Sequence, residues 1–266
     1  MALNPEARLI SGATDMGVES NLRGRRWPAL ISLEAIAELR EFSETPASVK
    51  IGAAVPLSDI LSHWTDAPLV VRQWLPLFAS PTLRNRATLG GNLATASPIG
   101  DGAPLLIAFD ATLHIAGPAG MRRTVPVASF FQDYRRTLLA PGELLTAVEI
   151  PKPWPSCMRF YKVAKRRMDD ISTVAAGMAI ELDESGCVLR SRFAFGGVAA
   201  IPLRVVEAEE AILGQPWNHA AVARVQAVLE NTLKPLSDHR GSAEYRLAVA
   251  SSLVEKFWWE KSGGAA

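Results

Sequence analysis

The chain has 266 residues, a formal net charge of +1, 48% hydrophobic residues and 21% charged ones. That length allows one large domain or two smaller ones with an ample core. The near-neutral charge argues against a nucleic-acid-binding field, no apolar stretch reaches membrane-span length, and the two cysteines, Cys157 and Cys187, make neither a disulfide framework nor a metal cluster.

Residues 7–10 read as a short strand running into SGATDMG (11–17), a loop of small and hydroxyl-bearing residues. A second strand is predicted over 27–33, leading into a helix-like segment over 33–41. SVKIGAA (48–54) alternates in part, as a half-buried strand does. Ser58 reads as the N-cap of a helix over 59–64. Residues 69–78 are apolar at helical spacing and stop near Ser80 and Pro81.

RNRATLGGNLATASPIGD (84–101) comes next. The pair Gly90 and Gly91 lets the backbone approach something closely or adopt a positive φ. Successive exposed N–H groups in such a loop form an anion-binding concavity, and Asp101 is placed to accept from ribose or ribityl hydroxyls. Alone, the stretch reads equally well as a connecting turn. A second loop of the same character at 11–17 shifts the reading towards a shared diphosphate cradle.

Residues 104–108 open a short helix. Residues 111–115 and 121–127 form a strand pair joined by the turn GPAG (117–120), and 146–150 is another strand. Three prolines in 151–155 oppose a helix and disfavour a central strand. The domain boundary is placed there, dividing 1–152 from 153–266. Beyond it, strands are expected over 158–164, 172–182 and 188–195, with a turn at 183–186. Segments 203–213, 218–229 and 244–260 read as helices. Strands followed by helices, after a mixed first part, argue for an α+β fold.

There is no G-x-G-x-x-G, no G-x-x-x-x-G-K-[ST] and no H-E-x-x-H, and the four histidines are scattered. No Rossmann or P-loop site and no bound metal are expected. The first residues lack a basic region followed by an apolar run, and with so few cysteines the expected location is cytoplasmic.

Four segments, TLGGNLATASPIGD, YKVAKRRMDDIST, FGGVAAIPLR and PLSDHRGSAEYR, resemble the FAD-binding domain of xanthine dehydrogenases, in particular the small subunit of the bacterial two-subunit enzymes. More widely they are similar to the flavoprotein subunits of molybdenum hydroxylases. The resemblance runs from about Leu9 to about Glu260. It implies a two-part FAD-binding domain over 1–152, followed by a small antiparallel sheet with helices over 153–266. It also implies that an iron–sulfur domain needing eight cysteine ligands precedes the first strand. With two cysteines here, the expectation is a truncated piece or clusters carried on a separate polypeptide.

Residue by residue, the resemblance assigns Ser11, Gly12, Ala13, Thr14 and Asp15 to the first FAD loop, and Thr88, Gly91, Asn92, Thr95 and Asp101 to the second. Ala13 stands where relatives often carry Asn or Gly. Phe78 would by itself be core, at the end of an apolar helix; the resemblance implies that Phe78 and Ala79 contact the flavin. Leu145, otherwise an ordinary strand residue, would lie against the ring. Lys162 reads alone as a solvated lysine, and the resemblance places it near the flavin. Arg166, Arg167 and Asp169 lie in a charged loop that reads as a solvated turn; by resemblance the loop sits at the flavin edge and helps decide between NAD and oxygen as acceptor, with Asp169 near the ring and the basic residues able to meet an NAD diphosphate.

The activity implied is electron transfer through FAD to NAD or oxygen, as part of a xanthine dehydrogenase-like enzyme of purine catabolism. Molybdenum cofactor and 2Fe-2S clusters would sit on a partner chain or a missing domain, in a hetero-oligomer. No catalytic side chain is expected, because the flavin carries the chemistry, and the chain alone should oxidise no purine. A flavin subunit of another molybdenum hydroxylase and a truncated, flavin-free assembly module are the alternatives.

Overall fold

A computed structural model of the chain describes residues 6–261. Strand β1 (Arg8–Ile10) enters a short loop, helix α1 (Thr14–Arg23) leaves it, and β2 (Leu30–Ser32) returns parallel to β1. A 3-10 turn (Ala37–Arg40) leads to β3 (Phe42–Glu44) and β4 (Ser48–Gly52). Five helices follow: α2 (Leu57–His63), α3 (Leu69–Leu77), α4 (Pro81–Arg84), α5 (Leu89–Ala94) and α6 (Gly102–Ala108). Strands β5 (Thr112–Ala116) and β6 (Arg122–Pro126), the small hairpin β7 (Phe131–Asp133) and β8 (Arg136–Thr137), and β9 (Leu144–Pro151) complete the first part. The second part runs β10 (Cys157–Val163), β11 (Val174–Leu182), β12 (Val188–Gly196), β13 (Leu203–Arg204), α7 (Val206–Glu210), α8 (His219–Thr232) and α9 (Ala243–Lys261).

Two sheets organise the molecule. One has five strands in the order β3-β4-β9-β5-β6, the other four in the order β10-β11-β12-β13, and neighbouring strands in both are antiparallel. The fold is α+β, as the element pattern implies.

Helix α6 lies against β11 and β12, and all seven of its residues are buried. The alternation along β11 explains how it fits. Val174, Ala176, Met178 and Ile180 point to the core under α7, α8 and α9, whereas Ala175 and Ala179 belong to the core that includes α6. Gly177 shares their face: a Cβ there would stand 2.2 Å from the Pro104 carbonyl oxygen. Large side chains on one face and small ones on the other let a helix backbone rest directly on the sheet. On the opposite face, α8 starts at Asn218, whose Oδ1 accepts from the N–H groups of Ala220 and Ala221. It buries Ala221, Val222, Val225 and Leu229 at helical spacing.

Several sequence expectations are corrected. α1 was not foreseen. The helix expected over 33–41 is only the 3-10 turn, because the Leu39 and Glu41 carbonyls accept instead from Ala54 and Gly52. Ser58 is not the cap of α2: Pro56 holds that position, and the Ser58 hydroxyl donates to Asp59. Helix 203–213 shrinks to α7, since Leu203 and Arg204 pair with β12. Strands β3, β7 and β8 were missed; the last two have three and two residues.

Candidate functional site

The first loop, 11–13, joins a strand to a helix N-terminus. Ala13 takes the left-handed conformation (φ 57°), and no side chain among the described residues caps α1. The first-turn N–H groups are therefore left without a side-chain acceptor, the arrangement that attracts an anion. Gly12 is pressed against the second glycine-bearing stretch: a Cβ there would stand 1.8 Å from the Arg86 carbonyl oxygen and 3.0 Å from Ala87 Cα. Two segments some seventy-five residues apart in sequence are thus brought into backbone contact. Beside them, the Ser11 hydroxyl is buried without a hydrogen-bond partner among the described residues. Thr14 and Asp15 open α1, and the Asp15 carboxylate favours the positive helix end but repels a second anion.

The second stretch is not an open loop throughout. Thr88, buried, caps α5 by accepting from the Gly91 N–H at 3.0 Å. Gly90 sits on Ala53, where a Cβ would come within 2.6 Å of the carbonyl oxygen. The Thr95 hydroxyl donates to the Gly91 carbonyl (2.9 Å), and Asn92 Oδ1 accepts from the Gly102 N–H (3.1 Å). Thr88, Asn92 and Thr95 therefore hold α5 and its junction with α6. Of these two helix starts, that of α5 carries a side-chain cap and that of α1 in the first loop has none among the described residues.

A third group converges where α3 ends. Lys162 Nζ on β10 donates to Asp101 Oδ2 (2.7 Å) and to the Leu77 carbonyl (2.9 Å), and its side chain is 5% exposed. The other Asp101 oxygen accepts from the Ser172 hydroxyl, and the Asp101 carbonyl accepts from Trp74 Nε1 (3.0 Å). Burial pushes the Asp101 carboxyl up from its ordinary value, against the pull of Lys162 and Ser172. Phe78 follows Leu77 and packs edge-on to Trp74, ring centroids 5.8 Å apart. Ala79 is left-handed (φ 46°), and Arg84 Nη1 locks this bend by donating to the carbonyls of Phe78 (2.8 Å) and Ala79 (3.2 Å). The structure thus groups Phe78, Ala79, Asp101 and Lys162. It puts Leu145 in β9 opposite Ile115, a core position at 4% exposure.

Residues 1–153 match the sequence profile of the FAD binding domain in molybdopterin dehydrogenase, and residues 159–261 that of the CO dehydrogenase flavoprotein C-terminal domain. The chain belongs to the flavoprotein family of the molybdenum hydroxylases. Xanthine dehydrogenase 2 of Arabidopsis thaliana is 32% identical over 270 residues, covering 96% of this chain and 20% of the relative. Xanthine dehydrogenase of Drosophila subobscura is 34% identical over 274 residues, with the same two coverages. The chain therefore spans about a fifth of the length of these relatives. Among solved structures, a carbon monoxide dehydrogenase from Hydrogenophaga pseudoflava superposes with a TM-score of 0.88 at 30% identity, covering 94% of this chain and 88% of that one. Quinoline 2-oxidoreductase from Pseudomonas putida 86 gives a TM-score of 0.88 at 27% identity, covering 99% and 93%.

The residues of this flavoprotein domain fit FAD on two observations of the structure itself. The Ser11 hydroxyl, buried and unpartnered among the described residues beside an uncapped helix end, suits a diphosphate. Lys162, with three N–H groups and two acceptors among the described residues, retains a donor for a ligand. Two surface cavities, of about 230 and 460 Å³, lie elsewhere and are lined by none of the expected FAD residues.

The charged loop between β10 and β11 is tied mainly to itself and to the segment before α9. Arg166 donates from its N–H to Asp170 Oδ2 and from Nη2 to the Asp169 carbonyl (both 2.8 Å), and Asp169 is left-handed (φ 50°). The Arg166 and Ile171 backbone N–H groups hold the Asp170 carboxyl below its ordinary range. Lys165 Nζ donates to the His239 carbonyl. Arg166, Arg167 and Asp169 are all exposed. Ser172, at the end of this loop, was not singled out from the sequence; its only signal was its place in the segment MDDIST, just ahead of an apolar run.

Proposed function

We propose that this domain is the FAD-carrying electron-transfer module of a xanthine dehydrogenase-like molybdenum hydroxylase. Iron–sulfur clusters and a molybdenum cofactor on a partner chain or another domain would be the electron source, and NAD or oxygen the acceptor. The observation that carries the reading is the contact of Gly12 with Arg86, which brings the uncapped end of α1 and the Ser11 hydroxyl beside the second stretch. When bound, FAD supplies the redox chemistry.

The chain's own residues supply position and charge. The Ser11 hydroxyl and the N–H groups at the start of α1 hold the diphosphate. The locked bend at Phe78 and Ala79 presents an aromatic face to the flavin. The Lys162 ammonium, fixed by Asp101 and Leu77, places a positive charge that favours an anionic ring. Arg167, exposed in the loop after β10, suits an NAD diphosphate. The division between the FAD-binding part and the C-terminal part is placed at 152/153, where β9 has just ended and the chain turns towards β10.

The test is the visible spectrum of the purified chain together with the flavin released by heat. FAD in the supernatant and bleaching by NADH support the proposal. A colourless chain that takes up no FAD overturns it in favour of a flavin-free assembly module. A second reading, a flavin subunit of another molybdenum hydroxylase, is favoured by the likeness to quinoline 2-oxidoreductase and by 31% identity over 277 residues to nicotinate hydroxylase hnxS of Emericella nidulans. Assay of the intact complex with purines against other heterocycles separates the two.

A further inference from the structure

Ser172 is fully buried at the end of the charged loop, and its hydroxyl donates to Asp101 Oδ1. Its backbone is fixed on both sides of the next residue. The Thr173 N–H donates to the Val163 carbonyl (2.7 Å), while the Thr173 carbonyl accepts from Arg246 Nη1, which also reaches the Gly197 carbonyl (3.2 Å). Gly197 has φ 83° and leaves no room for a side chain, since a Cβ would lie 2.3 Å from the Thr173 carbonyl oxygen. A hydroxyl on so rigid a backbone sets the rotation of the carboxylate it touches. With Oδ1 held by Ser172, Oδ2 faces Lys162 Nζ, and the ammonium is drawn to a place where it also reaches the Leu77 carbonyl, next to Phe78.

We propose that Ser172 is a positioning residue for the flavin-side lysine: by fixing the Asp101 carboxylate it aims the Lys162 ammonium at the FAD site. This rests on the FAD reading above. It also links the charged loop to that site through one hydrogen bond. The groups packed around Asp101 are few. Among the described residues, Lys162 from β10 is the one charged group acting on its carboxyl; Trp74 from α3 and Ser172 from the loop before β11 are neutral.

The experiment is titration of FAD into the full apo chain, followed by fluorescence between pH 5 and 8, for wild type, the near-isosteric Ser172→Ala, and Ser172→Cys. A hydrogen bond to a charged carboxylate favours its ionised form. Removing it moves the acid limb of FAD binding up by about one pH unit and weakens binding at neutral pH by roughly tenfold. Ser172→Cys, whose thiol is a weaker donor, shifts the limb in the same direction. In an Asp101→Asn background, neither substitution moves it. A wild-type chain that binds FAD, with both Ser172 variants giving its pH profile, overturns this proposal and leaves the FAD reading standing. A uniform loss of affinity with an unmoved limb also overturns it, by assigning Ser172 a packing role. A wild-type chain that binds no FAD overturns both.

Discussion

Gly12 and Arg86 touch through their backbones: a methyl group on Gly12 would sit 1.8 Å from the Arg86 carbonyl oxygen. No side-chain adjustment relieves a clash with backbone, so one segment would have to withdraw. Gly12→Ala is expected to separate the first loop from the second stretch. Overpacking of this kind costs about 1–3 kcal/mol. Because α1 buries no residue, its displacement should leave the rest of the fold intact. FAD binding should fall by at least an order of magnitude, while far-UV circular dichroism stays within a few per cent of wild type. Undiminished FAD binding would show that the contact is incidental.

Lys162 and Asp101 make a nearly buried pair, with side chains 5% and 9% exposed. Removing one partner leaves the other uncompensated. Lys162→Ala should destabilise the domain by about 3–5 kcal/mol at neutral pH. Adding Asp101→Asn should recover part of that, since the orphaned charge is gone. Urea unfolding of the two single variants and the double variant measures the coupling; simple additivity would deny it.

The Glu143 carboxylate accepts from Arg123 Nε and Nη2 and from the Ala140 N–H, each at 2.7 Å. The Arg123 hydrogen bonds first, then the Ala140 N–H, lower its pKa from the ordinary 4.5 to about 2. A carboxyl depressed in the folded state contributes stability that is present above the unfolded value and lost as pH falls through the folded one. The melting temperature should therefore drop between pH 4.5 and about 2. Glu143→Gln should lower it at pH 7 and flatten that acid slope. Asp101, whose carboxyl is raised, acts in the opposite sense: its contribution shrinks as pH rises from the unfolded value through the folded one.

Arg166 is 72% exposed and bonded within its own loop, and Arg167 is exposed as well. Replacing both with alanine should leave FAD content and melting temperature unchanged. The KM for NADH in reducing the bound flavin should rise roughly tenfold, the loss expected for a charge-assisted contact to phosphate. Unaltered kinetics would remove the NAD role from this loop.

Much of the fold was legible. The alternating run in 48–54, the hairpin joined at 183–186 and the last two helices lie where period and turn chemistry put them. Several of the misses share a cause. The 3-10 turn at Ala37–Arg40, the small strands β7 and β8, and β13 where a helix was expected are short, so tertiary hydrogen bonds outweigh local propensity.

The sequence by itself determined the α+β class, the two glycine-bearing segments and the residues that resemble an FAD site, because these depend on local chemistry and spacing. Tertiary structure alone decided which of those residues meet. It turned a third of the second stretch into a helix capped by Thr88, set Leu145 opposite Ile115 in the core and put Ser172 against Asp101 across seventy-one positions of chain. A carboxylate's partner is chosen by burial and by which strand passes within hydrogen-bond reach, and neither is written in the residues beside it.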